Sequence, residues 1–393
     1  MDSPTPITLT EYQSRSFSPT EISSDEAERL DRYYRQQIVV EPPWAKTNYR
    51  WQLTAQGWVG YIPLTSHFHL ALQPKVPLSN LFQMLEYAYR LNIELLEGAA
   101  YAQSLPEFYE RLAHILAQRV LDRARQGFYR TYVSLTDRLP YVRGRLNVQR
   151  AVQQPLQIKP ECDYQEHTAD IDDNRILLFT LWRLVHSGVC TERVLPTIRQ
   201  AYRSLQGLVL LQPCSPEACL GRQYHRLNQD YQPMHILCRF ILAQTGPSHH
   251  LGSRQMLPFL INMARLYEMF VAEWLRAHCP GHLRLRVQET VANREVGAVI
   301  DLVLADAETG VARCVLDTKY KTPDKQPSKQ DIHQVVAYAE IKHCREAVLI
   351  YPAPLPRPLD TLWGNIRVRS LTFALTGSLD EAGQAFLQDL GLP

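Results

Sequence analysis

"ARCVLDTKYK", residues 312–321, decides how the rest of the chain is read. Cys314, Val315 and Leu316 form an apolar stretch that ends in an aspartate and a lysine one residue apart. Successive side chains on a strand alternate faces, so Asp317 and Lys319 project from the same side. Just upstream, "AVIDLVLAD" (298–306) sets Asp301 in the middle of a strand otherwise made of valine, isoleucine and leucine. A carboxylate in so apolar a strand is costly to bury unless it is paired or holds a metal. A turn near residues 306–310 joins the two stretches into a hairpin, which predicts Asp301 and Asp317 within reach of one ion.

Working outward, "MLPFLINMARLYEMFVAEWLRAH" (256–278) reads as a helix and "LRLRVQE" (283–289) as a further strand. "QDIHQVVAYAEIKH" (330–343) reads as a second helix and "EAVLIYP" (346–352) as a fourth strand. The order is therefore helix, three strands, helix, strand, within a mixed α/β chain. On the first helix Glu268 shares a stripe with Ile261, Ala264, Ala272 and Leu275, where a purely structural helix carries an apolar residue. It stands as a third acid, completing a metal site or holding it through water. On the second helix Asp331, Gln334 and Tyr338 fall on one face, and the glutamine and tyrosine can hold a nucleotide phosphate or base.

Two hard carboxylates with carbonyls and waters suit Mg²⁺, with Mn²⁺ as a substitute. Such an ion polarises a phosphate and acidifies a bound water. Lys319 then orients that water or stabilises transition-state charge. Blander readings exist for each part. Asp-x-Lys alone is usually an exposed strand salt bridge, Glu268 has Arg265 or Lys319 for a partner, and Gln334 and Tyr338 alone are an ordinary helix face. The four parts in this order are harder to explain by chance.

The rest of the chain bounds the setting. It has 393 residues, enough for two or three domains, and a net charge of +2 gives no global basic signal for nucleic acid. Eight cysteines form no CxxC pair, His278, His282, His333 and His343 lack a zinc-site spacing, and Arg143 and Arg145 read as a basic turn. No apolar run is long enough to cross a membrane, and "MDSPTPITLTEY" is no signal peptide, so a cytoplasmic protein without a membrane partner is expected. No GxxxxGK[ST] occurs, so the chain is expected to bind no nucleotide itself. Three regions follow: 1–160, mixing strands and helices; 161–250, largely helical; and 251–393, carrying the acids. In the first, "SSDE" (23–26) is a capping-box pattern, and Ser79 or Asn80 is available to cap the helix that follows Pro77.

Asp301, Asp317 and Lys319 together resemble the PD-(D/E)xK nuclease signature, and "QVVAY" (334–338) resembles the QxxxY element of its RecB-like branch. More specifically, "VLDTKYK", "DIHQVVAYA" and "LIYP" are similar to the McrC family. That likeness extends upstream through "LALQPKVPLSNLFQML", "RGRLNV", "CDYQEHTADIDDNRILL" and "HRLNQDYQPM". It departs at Ile300, where the family usually has proline, and at Asn262, where aspartate is common. The resemblance implies a restriction-endonuclease-like core in 251–393, behind an amino-terminal partner-docking domain (1–160) and a helical connector (161–250). It also implies the nuclease subunit of a system that cuts double-stranded DNA containing modified cytosine. The implied partner is a McrB-like AAA+ GTPase hexamer, whose hydrolysis such subunits stimulate. Asp301, Asp317 and Glu268 are the expected metal ligands, with Lys319 catalytic and Gln334 and Tyr338 at the substrate. Two other functions fit less of the pattern: a non-catalytic DNA-binding regulator of an AAA+ NTPase, and a stand-alone RecB-like repair nuclease.

Overall fold

The computed structural model describes residues 6–65, 68–91, 104–153, 158–244, 249–251, 254–256, 258–292, 297–321 and 326–392. The capping box expected at 23–26 forms. Ser23 accepts from the Glu26 backbone N–H, and Glu26 Oε2 accepts from the Ser23 N–H at 3.0 Å, opening helix α1 (Ser24–Tyr34). Its buried face of Ala27, Leu30 and Tyr34 packs into a cluster with Phe17, Ile38, Leu53 and Leu70. Around that cluster lie β1 (Ile7–Thr10), β2 (Ser14–Phe17), β3 (Ile38–Glu41), β4 (Trp51–Ala55), β5 (Trp58–Pro63) and β6 (His69–Gln73). β2, β4 and β3 make a three-stranded sheet.

Helix α2 (Leu78–Tyr89) departs from expectation at its start. Its first helical residue follows Pro77 with no side-chain cap, and Asn80 is instead buried, donating to the carbonyls of Leu375 at 3.1 Å and Gly377 at 2.8 Å. Ser79 and Asn80 are the second and third helical residues, past the cap position that Pro77 occupies.

The chain divides into two compact units, Met1–Phe108 with Gln244–Pro393, and Tyr109–Ala243. These bounds differ from the three regions expected with limits at 160 and 250. Residues 1–108 share a unit with the carboxy-terminal region because their strands pair with it, a long-range event that local periodicity does not show. After α3 (Leu105–Gln126), the second unit holds β7 (Thr131–Arg138), β8 (Arg145–Leu146), α4 (Val148–Gln153), β9 (Glu161–Thr168), α5 (Asp172–His186), α6 (Leu195–Leu205) and α7 (Tyr231–Ala243). The stretch at 161–168, placed in a largely helical region, is a strand between β7 and β8. Buried Asn174 ties the unit together. It donates to the carbonyls of Tyr129 and Ala169 and accepts from the Tyr231 hydroxyl at 2.7 Å.

The carboxy-terminal part of the first unit begins with β10 (His249–Leu251), β11 (Arg254–Met256) and β12 (Phe259–Asn262). The helix expected from Met256 starts only at α8 (Met263–His278); Leu257 lies outside the described residues, and "FLIN" is strand. Ile261 therefore sits on β12 and not on the stripe of Glu268. β12 completes a sheet in the order β1-β6-β5-β12, pairing antiparallel with β5. Gly60 permits that pairing: its φ is +143°, and a β-carbon there would collide with the Phe259 carbonyl. Gly60→Ala is expected to cost about 2–3 kcal/mol, since neither backbone can yield without breaking the ladder. Thermal unfolding of the variant checks this.

Next come β13 (Leu283–Ala292), β14 (Gly297–Asp306), β15 (Ala312–Thr318), α9 (Lys329–Ile341), β16 (Glu346–Tyr351), β17 (Asp360–Trp363), β18 (Ile366–Thr372) and α10 (Leu379–Leu390). From α8 to β16 the elements follow the expected order. They form a six-stranded sheet, β13-β14-β15-β16-β18-β17, antiparallel from β13 to β15 and parallel from β15 through β16 to β18. Helix α9 is the crossover between the parallel pair β15 and β16. Its Val335, Val336 and Ala339 join Ala347, Leu349 and Tyr351 of β16 in one buried cluster. Val348 and Ile350 between them are buried too, so both faces of the strand are covered.

Candidate active site

The hairpin of β14 and β15 sets the acids. Its ladder runs to Leu302↔Leu316, and one further step in that register places Asp301 opposite Asp317. There the regular pairing stops. The Thr318 N–H and hydroxyl donate to Asp301 Oδ2 at 3.0 and 3.1 Å, while the Lys319 N–H donates to Ile350 O at 2.8 Å. The acid side chain thus takes over a strand hydrogen bond just where β15 continues along β16 alone.

Asp317 is 1% exposed. Burial pushes its carboxyl up to about 6, with the charge of Asp301 adding to the rise and Lys319 opposing it. Like charges directly opposite on adjacent strands repel. Lys319, on the same side as predicted, brings Nζ to 2.6 Å from Asp317 Oδ2. The contact is off the hydrogen-bonding direction, and Oδ2 has no aligned donor. Burial alone would lower the Lys319 amine, but Asp317, Asp331 and Asp301 outweigh it and hold it above its ordinary value. It is therefore a cation at neutral pH.

Gln334 and Tyr338, expected at phosphate or base, lie on the lysine. Lys319 Nζ donates to Gln334 Oε1 at 3.1 Å, and Gln334 Nε2 donates to the Tyr338 hydroxyl at 2.8 Å. The i,i+4 pair on α9 forms a relay that aims the amine. Asp331, one turn earlier, is buried and holds Lys321 Nζ at 2.7 Å, with Lys319 Nζ at 4.0 Å. Ser328 caps α9 and donates to Asp331 Oδ2 at 2.7 Å, fixing it further.

Glu268 accepts from Gln288 Nε2 at 3.1 Å, rather than pairing with Arg265 or Lys319. Burial raises its carboxyl, and the charge of Asp301 raises it further. Gln288 escaped the sequence reading. It lies where the β13–β14 register would face Asp301, between Val287↔Leu302 and Glu289↔Ile300, and its φ is +49°. A side chain other than glycine in the left-handed region is strained, and such strain concentrates at functional sites. Nothing in the letters of "LRLRVQE" signals it.

Among the described residues, no three His, Cys, Asp or Glu side chains gather into a ready-made cation cage. The expected trio is thus a facing pair, Asp301 and Asp317, with Glu268 coupled to Asp301 by charge but closing no cage. The pair itself fits a hard divalent cation. It offers oxygen donors, Asp317 Oδ2 lacks an aligned donor, and mutual repulsion would be relieved by positive charge. The two departures from the McrC-like pattern also have a place. Ile300 is fully buried in the cluster with α9, and Asn262 caps α8, accepting from the Arg265 N–H at 3.0 Å.

Fold and site define a mixed α/β chain whose central strands carry a carboxylate pair and a lysine cation side by side. The model of the family described as McrBC 5-methylcytosine restriction system component matches residues 53–352. The chain belongs to that family, as its resemblance to McrC anticipates. It is 24% identical over 209 residues to the type IV methyl-directed restriction enzyme EcoKMcrBC of Escherichia coli (strain K12). The match takes in 52% of this chain and 60% of that relative's length. The fold is similar to one from Thermococcus gammatolerans, a refined half-complex from a tetradecameric assembly of McrB AAA+ hexamers with bound McrC. There the TM-score is 0.58 and the identity 17%, over 98% of this chain and 100% of that one.

Proposed function

We propose that this chain is the Mg²⁺-dependent DNA endonuclease subunit of a McrBC-type restriction system, acting in the cytoplasm on DNA with modified cytosine. The observation that carries the reading is the cross-strand pair Asp301 and Asp317 with Lys319 Nζ 2.6 Å from Asp317. The order α8, β13–β15, α9 with this cluster on β14 and β15 supports a PD-(D/E)xK core.

Asp301 and Asp317 would hold the cation, whose chemistry is Lewis-acid polarisation of the scissile phosphate and acidification of water. Asp301 is steadied by Thr318. Lys319, held charged, is suited to stabilising negative charge on the phosphate rather than to accepting a proton. Gln334 keeps its amine on target, and Gln288 orients Glu268 beside Asp301.

The partner in this reading is an AAA+ GTPase hexamer of the McrB type. Of the 1–160 stretch expected to dock it, residues 1–108 belong to the unit that holds the acids. Within that stretch we place docking on residues 109–160, which belong to the other unit. There β7 exposes Tyr132, the connection from β7 to β8 exposes Tyr141 and Val142, and α4 exposes Val148 and Val152. Exposed apolar side chains along one stretch of chain suit a protein partner.

The test is cleavage of modified and unmodified DNA with and without a McrB-type AAA+ motor protein. Alone, the chain should hydrolyse neither GTP nor ATP and cut little. With the motor it should raise nucleotide hydrolysis and produce double-strand breaks. Tyr141→Asp with Val142→Asp should lower that stimulation at least tenfold. Unchanged stimulation would remove the docking assignment, and absence of Mg²⁺-dependent cutting with every motor and DNA tried would leave the regulator reading instead.

A further inference from the structure

A pocket of about 390 Å³ opens beside the acid–lysine cluster, wholly within the first unit, lined by Tyr12, Lys75, Tyr320, Lys321, Pro352 and Leu375 among others. Tyr320 and Lys321 directly follow Lys319, and Lys321 and Lys319 both reach Asp331, at 2.7 and 4.0 Å. Pocket and cluster are thus adjacent along one backbone segment and share one acid.

The walls are fixed. Tyr320 donates its hydroxyl to Glu11 Oε2 at 3.2 Å, and its ring lies 5.9 Å from that of buried Tyr267. The same carboxylate oxygen accepts the Lys75 N–H at 3.0 Å. Glu11 is fully buried, so one acid holds both the aromatic wall and the lysine-bearing segment. Tyr12, 46% exposed, also lines the pocket, with a φ of +57°, and Lys75 Nζ stands 4.9 Å from its ring centre. Gly57 makes room for it, since a β-carbon there would collide with the Tyr12 hydroxyl. Tyr12 stands in the turn between β1 and β2, so its ring is presented to solvent and is not spent on core packing.

Two aromatic faces with two lysine amines match one chemical class. Aromatic side chains stack on bases regardless of sequence, and lysines neutralise phosphates. We propose that this pocket seats one nucleotide of the DNA strand next to the scissile phosphate, its base against Tyr12 and Tyr320 and its phosphate toward Lys75 and Lys321. The proposal rests on the nuclease reading for the identity of the strand. It makes the first strand region a part of substrate binding.

The probe is thymidine 3′,5′-bisphosphate, titrated by calorimetry into the full chain without divalent cation. Wild type and Asp317→Asn should bind it alike. Tyr12→Ala and Lys75→Ala should each weaken binding by about tenfold, the scale of one lost stack or phosphate contact, while Tyr12→Phe keeps it. A short oligodeoxynucleotide should displace the probe and free GTP should not. No binding, unaltered binding to the Tyr12→Ala, Lys75→Ala double variant, or displacement by GTP but not by the oligonucleotide would each overturn the proposal. Cutting by wild type against Asp317→Asn judges the nuclease reading separately. Intact cutting with no probe binding sinks the pocket alone, and normal probe binding with no cutting sinks the nuclease reading alone.

Discussion

Asp317→Asn, assembled with the motor, is expected to leave no measurable DNA cleavage, and alone to melt no lower than the parent chain. Both outcomes come from one carboxylate. Its ionised form is opposed by burial and by Asp301, which lift its pKa from 3.8 to about 6. A lift of that size disfavours the ionised form by on the order of 3 kcal/mol at neutral pH. The sign follows from proton counting. Between about pH 4 and 6 the folded chain binds more protons at Asp317 than the unfolded chain, so this group's contribution to stability falls as pH rises through that window and is flat above it. Asparagine, uncharged throughout, lacks this dependence. The parent-to-variant difference in stability should move in the variant's favour from pH 4 to 6 and then level off. Mg²⁺ should raise the melting temperature of the parent and not of the variant, since a ligand stabilises only the state that binds it. A variant that cuts at the parent's rate, or gains the same Mg²⁺ stabilisation, would remove Asp317 from the metal site.

Lys319→Met should lower the cleavage rate by about two to four powers of ten, the scale of losing a positioned charge at a transition state. DNA affinity should change little, because one phosphate contact is a small share of the whole. The amine is held charged by Asp317, Asp331 and Asp301, so no loss of rate between pH 7 and 9 should trace to its titration. Gln334→Ala should give a smaller loss, about tenfold, by releasing the amine without removing it. Single-turnover cleavage with the motor present separates these effects from binding. Normal cutting with impaired binding in Lys319→Met would make the lysine a DNA anchor only.

The parts of this site that could be read from sequence are those with strictly local causes. Asp317 and Lys319 share a face because strand geometry repeats every two residues, and Ser23 with Glu26 form a capping box because helix starts need donors satisfied. The roles of Gln334 and Tyr338 were harder. Their spacing was visible, but whether the face they share looks at substrate or at Lys319 depends on how α9 lies on the sheet. Gln288 was invisible, since a left-handed residue inside a strand is set by the neighbouring strand and by Glu268. "FLIN" at 259–262 passed for helix because a short apolar run fits either period, and only its pairing with β5 decides it.

That pairing of β12 with β5 also orders events on the ribosome. Residues 1–108 emerge first, yet the sheet that completes their unit takes a strand from residues 259–262, and Glu11 finds Tyr320 more than three hundred positions later. The intervening Tyr109–Ala243 unit has its own core and is free to form while the earlier segment waits. Contacts of such large sequence separation form slowly, because the connecting chain must first surrender its freedom. Nascent chains arrested before residue 300 hold Glu268 and Gln288 but none of Asp301, Asp317 and Lys319. The acid–lysine cluster draws on residues from Glu268 to Tyr338, so only chains synthesised past Tyr338 can hold it whole.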